Sequence, residues 1–83
     1  MAPPAAGDYR KALDLARDGH WDESHELVQQ LSDAMACRIH AYLHRVEGDT
    51  GNAGYWYRRA GVAAFAGSQD EELQALYEAL ESG

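Results

Sequence analysis

One cysteine, Cys37, occurs in the 83 residues, so no intrachain disulfide can staple this chain and its fold must rest on packing. A lone thiol points to a reducing compartment, and the expectation is a cytoplasmic protein. No apolar run approaches the roughly 20 residues of a membrane-spanning helix. The leading MAPPAAG lacks the charged-then-apolar layout of a secretion signal. Basic charge is scarce as well: 7 Lys and Arg stand against 14 Asp and Glu, a net charge of −7. That balance weighs against nucleic acid and against an anionic membrane as partners. Period-two alternation is missing throughout, which excludes strands and leaves an all-α chain. With 46% apolar and 25% charged residues over 83 positions, there is room for one domain and one modest core.

What is present is helical periodicity cut by glycine. Residues 1–7, rich in Pro, Ala and Gly, read as a flexible tail ahead of a single helical domain over 8–83. Asp8 is expected to cap a first helix with Tyr9, Ala12, Leu13 and Ala16 on one face, ended by Gly19. A second helix, Trp21 to Leu31, completes a hairpin over 8–31 with Trp21, Ser24, His25, Val28 and Leu31 as its inner stripe. Ser32 is expected to cap a third helix bearing Met35, Ile39, Tyr42, Leu43 and Val46, which Gly48 ends. Asp49 opens a fourth, Thr50 to Ala60, and closes a second hairpin over 33–60. A small-residue connector over 61–67 follows. Ser68 and Glu71 then form an S-x-x-E capping box. The terminal helix, 69–81, carries Leu73, Leu76, Tyr77 and Leu80 at i, i+3, i+4 and i+7.

The two hairpins echo each other. DGHWDESHELV (Asp18 to Val28) lies over EGDTGNAGYWY (Glu47 to Tyr57) with a shift of 29 residues, so Gly19 matches Gly48 and Ser24 matches Ala53. A small residue in the first turn after each glycine lets two antiparallel helices approach closely. At LDLARDGHWDESHELV and YLHRVEGDTGNAGYWYRRAG the chain resembles tetratricopeptide-like (TPR-like) helical-hairpin repeats. The unit is shorter than their roughly 34 residues, and no proline closes either copy. The second unit is also similar to small uncharacterised bacterial helical proteins. The TPR-like resemblance implies an interaction scaffold whose groove engages a protein or peptide.

The stretch from Ile39 to Gly61 concentrates the chemistry. His40 and His44 stand one helical turn apart, Glu47 follows by another, and His25 can meet them from the neighbouring helix. Imidazoles at that spacing suit zinc, nickel or iron, with a carboxylate to complete the shell. The same residues also suit a polar groove lining or hydrogen-bonded histidines at a core edge. No cofactor motif is present, and a divalent metal is the one candidate. Tyr55, Trp56 and Tyr57 point three ways around one helix, so at least one is expected at the surface. Together with Arg58 and Arg59 they have the composition of an interface hot spot. Arg38 and Arg45 extend this basic patch, which could grip an anion or pair with the acidic helices. Ser24 beside His25 does not make a nucleophile pair, because adjacent helical positions diverge by about 100°. Cys37 with His40 lacks any visible oxyanion element.

The expectation is a non-catalytic interaction module that binds a partner or forms a homodimer, since a short helical stack has two open ends. The alternative is a small ligand- or metal-binding protein using His25, His40, His44 and Glu47.

Overall fold

The computed structural model describes residues 6–82; most of the N-terminal tail, residues 1–5, and Gly83 lie outside the described residues. Five helices and no strand occur among the described residues: α1 (Ala6–Arg17), α2 (Trp21–Gln29), α3 (Ala34–Val46), α4 (Thr50–Ala60) and α5 (Gln69–Ser82). The protein is all-α. Helix α1 packs on α2 across a three-residue turn and α3 on α4 across another, giving two antiparallel pairs joined through α2 and α3. Helix α5 returns to cover the face that α1 and α3 share.

Several boundaries differ from the sequence expectation: α2 stops at Gln29, short of Leu31, and α5 runs to Ser82 rather than 81. Helix α1 already includes Gly7, so Asp8 sits in its first turn, favouring the positive helix end rather than capping it. Asp33, not Ser32, caps α3: its extended backbone directs the carboxylate at the Ala36 N–H, 3.4 Å away. Asp49 caps α4 through Asn52 N–H at 3.1 Å. Ser68 and Glu71 exchange the two bonds of the capping box ahead of α5, at 2.8 and 3.1 Å.

The 29-residue echo recurs in the backbone. Gly19 and Gly48 take left-handed φ values of 86° and 85°. The N–H of His20 reaches Leu15 O at 2.8 Å, and that of Asp49 reaches His44 O at 2.8 Å, with each glycine N–H closing the tighter bond inside. These are matching Schellman closures, which satisfy carbonyls left open at a helix end. Within each pair a small residue sits at the crossing. Ser24 is fully buried, and its hydroxyl donates to Ala12 O at 2.7 Å. At the equivalent position Ala53 packs in a cluster with Ala41 and Tyr57.

The main core joins Leu13, Val28, Ile39, Tyr42, Leu43 and Leu76, from four helices, with Leu73, Tyr77 and Leu80 packed on its edge. Burial of each large aliphatic side chain contributes about 1.5–3 kcal/mol. Three tyrosine–carboxylate bonds pin helices pairwise. Tyr9 of α1 donates to Asp33 at 2.7 Å, Tyr57 of α4 to Glu72 of α5 at 2.5 Å, and Tyr77 of α5 to Asp14 of α1. Glu72 is only 3% exposed and also takes Arg45 at 2.8 Å. Helix-dipole complementarity therefore does not account for Glu72, although it suits Asp70. Pairing with an acidic helix explains Arg45.

Candidate metal centre

Helical periodicity alone places His40 and His44 side by side. Helices α2 and α4 add the rest. His40 and His44 stack within α3, ring centres 5.0 Å apart, and His25 of α2 meets both edge-on at 4.6 and 5.4 Å. The Nε2 atoms of His25 and His40 share a hydrogen bond of 2.9 Å. One ligand nitrogen from each of the three rings falls within a common span of 4.8 Å. His40 and His44 are 4% and 8% exposed, and His25 is half-buried.

Glu47, one residue past the end of α3, accepts from His44 Nδ1 at 2.5 Å. That bond places the proton of the neutral ring on Nδ1 and leaves Nε2 as a lone-pair donor toward the trio. Carboxylate–histidine pairs of this kind orient metal ligands from behind. Burial, and then the neighbouring His25 and His44, push His40 down to about 4, while burial followed by His44 lowers His25. Both rings are therefore neutral at pH 7, the state in which imidazole binds a metal.

Two indoles wall the cluster. Trp56 of α4 lies flat on His40 with ring centres 3.8 Å apart. Trp21 stacks on His25 at 4.7 Å, and its Nε1 donates to Leu43 O at 2.6 Å, fixing the start of α2 to the last turns of α3. Sequence reading places Trp21 in the apolar stripe and misses its part in the site. The signal is its spacing, one turn ahead of His25 on the same face. Arg59 sets its guanidinium 5.2 Å from the Trp56 ring centre on the outside of the cluster.

Of the sequence candidates, His25, His40, His44, Glu47 and Trp56 come together, with Arg59 beside them. Tyr55 and Arg58 do not join the cluster. Tyr55 is 44% exposed and contacts Trp56 edge-on, and Arg58 is exposed on the outer side of α4. Of the aromatic triplet, then, Tyr57 is buried, Trp56 faces the histidines and Tyr55 reaches the surface. Among the described residues no helix is long and apolar enough to cross a membrane. No protein-family model, curated protein or solved structure matches this chain.

Proposed function

We propose that this protein binds one divalent transition metal, zinc by its donor set, through Nε2 of His25, His40 and His44, with Glu47 orienting His44. The carrying observation is the convergence of three imidazole nitrogens from two helices within 4.8 Å. Tetrahedral zinc at 2.0–2.1 Å from each nitrogen sets them about 3.3 Å apart. The 2.9 Å pair of His25 and His40 has to open slightly, the span of up to 4.8 Å across the trio has to close by as much as about 1.5 Å, and the proton shared by the pair moves to Nδ1 of its own ring. Other first-row divalent ions such as nickel or copper compete for the same imidazoles.

Protein purified without a polyhistidine tag tests this. The expected outcome is one zinc per chain by elemental analysis, with a saturable change in tryptophan emission as metal displaces the rings stacked on Trp21 and Trp56. Zinc at about a hundred times its dissociation constant stabilises the fold by about 2.7 kcal/mol, raising the melting temperature by roughly 10–20 °C. Absence of stoichiometric metal, with melting unchanged by EDTA, refutes the proposal.

A second reading, a TPR-like interaction module that self-associates or grips a protein or peptide, is favoured by the repeated hairpin closure. With α5 covering the α1 and α3 face, one surface left for a partner is the outer side of α4, around Tyr55, Arg58 and Arg59. Sedimentation equilibrium tests the homodimer. A monomer whose stability and binding ignore Trp56→Ala removes this reading.

A further inference from the structure

We infer that the metal held by His25, His40 and His44 keeps one coordination position open to a small anionic donor, of the size of azide or a short carboxylate. The inference rests on the metal reading above and goes beyond it in assigning a ligand class. Four-coordinate zinc takes four donors, and the cluster brings three protein nitrogens together. Among the described residues, Glu47 and Asp49 group with His44 but not with His25 and His40. Glu47 is already engaged from behind, on the opposite nitrogen of the His44 ring. It is a positioning residue.

The remaining nearby thiol, Cys37, lies one turn before His40, but its sulfur is turned toward Ser32 O at 3.9 Å and falls outside the cluster. A structural zinc site is closed by a fourth protein ligand; a site with three leaves the fourth position to solvent or an exogenous group. Two features set the class of that group. Trp21 stacked on His25 and Trp56 stacked on His40 crowd the trio, which disfavours a bulky donor. Arg59 is exposed and sets its positive charge against the Trp56 ring, with a long 3.4 Å bond to the Tyr55 hydroxyl and the Tyr55 ring centre 6.0 Å away. An incoming anion meets that charge as well as the metal's.

Full-length protein loaded with cobalt(II) in place of zinc reads the coordination directly. The expected result is the intense visible ligand-field bands of a four-coordinate ion, shifting saturably as azide is added. Arg59→Ala is expected to weaken azide binding roughly two- to fivefold, the range of an exposed ion pair, without lowering cobalt affinity. Bands indifferent to azide overturn the inference and leave metal binding standing. So does a near-ultraviolet thiolate-to-cobalt band that vanishes in Cys37→Ser, because Cys37 would then fill the fourth position. Faint bands of a six-coordinate ion overturn the single open position. Failure to take up cobalt at all overturns this inference together with the metal proposal.

Discussion

Tyr57→Phe removes one hydroxyl from the most buried carboxylate in the molecule. Glu72 is 3% exposed and receives the Tyr57 hydroxyl at 2.5 Å as well as Arg45 at 2.8 Å. The ring still fills its place beside Ala41 and Ala53, so the variant isolates the hydrogen bond. A bond to a charged acceptor is worth about 1.5–3 kcal/mol, which for a chain of this size lowers the melting temperature by roughly 6–20 °C. The pH dependence is more discriminating. Burial first, and the Glu72 bond second, push Tyr57 up to about 12, whereas an unfolded tyrosine ionises near 10. Between these values the folded chain keeps a proton that the unfolded chain has released. Stability from this group is therefore complete below about pH 10 and is lost as pH rises toward 12. The rise from 10 to about 12 is worth at most about 2.7 kcal/mol. Burial and then Asp33 push Tyr9 to about 12, and burial and then Asp14 do the same for Tyr77, so the variant keeps part of the alkaline slope. Urea denaturation followed by circular dichroism across the alkaline range measures both curves. Parallel loss of stability by wild type and variant above about pH 10, or full tyrosinate absorbance in the native protein near that pH, refutes the reasoning.

Gly19→Ala and Gly48→Ala should each destabilise by about 1–2 kcal/mol, because both positions hold left-handed backbone; urea midpoints that differ widely between them would break the equivalence of the two turns. Ala53→Leu forces a large side chain between α3 and α4, where Ala53 is 2% exposed, and should cost about 1–3 kcal/mol or more; unchanged stability would show that the pair does not rest on close approach. In Gly67→Ala the new methyl would fall 2.7 Å from the Phe65 ring and 2.9 Å from Glu71 Oε1. The expected loss is about 1 kcal/mol, the worth of the disturbed cap, and it should shrink without vanishing when Glu71 has already been replaced by Ala, because the Phe65 contact remains. Zinc should raise the melting temperature of the wild type and leave that of His44→Ala unmoved; equal shifts in both would place the ion elsewhere.

Helix ends are legible where they depend on local chemistry. Gly19 and Gly48 announce themselves because an L side chain resists positive φ, and Ser68 with Glu71 closes a box within four residues. The cap of α3 is ambiguous in sequence because Ser32 and Asp33 are adjacent and both can accept. A distant residue decides it: Tyr9 bonds the Asp33 carboxylate at 2.7 Å and holds it over the helix end. The site divides the same way. His40 beside His44 follows from a period of 3.6, and Glu47 from one more turn. The approach of His25 needs the crossing of α2 over α3, which Trp21 sets by bonding Leu43 O, a contact across 22 positions. Buried Glu72 is the least legible of all. It stands in a row of three acids, Asp70, Glu71 and Glu72, that reads as dipole complementarity at a helix start, and only the placement of Arg45 and Tyr57 on two other helices makes its burial tolerable.

An 83-residue chain has little apolar surface to spare, yet it withdraws His40 and His44 from water next to that core. Neutral rings stacked on one another and on two indoles retain much of the packing of aliphatic side chains, and the His25–His40 and His44–Glu47 bonds satisfy part of their polar capacity. Apolar residues of equal volume would nonetheless pack there without desolvating any nitrogen. The proposed metal would reverse that comparison, because ligands converging only in the folded state convert binding energy into folding energy. Since the trio draws on α2 and α3 and is roofed by Trp56 of α4, an ion there ties the first hairpin to the second. The same link is otherwise carried by the Trp21–Leu43 bond, the Tyr9–Asp33 bond and the shared core. Hydrogen exchange separates these contributions: zinc should slow exchange in α2, α3 and α4 together, while the α5 amides, held by Leu76, Glu72 and Tyr77, should slow less. Protection confined to α3 would mean that His25 does not take part, and the three-nitrogen site would fall with it.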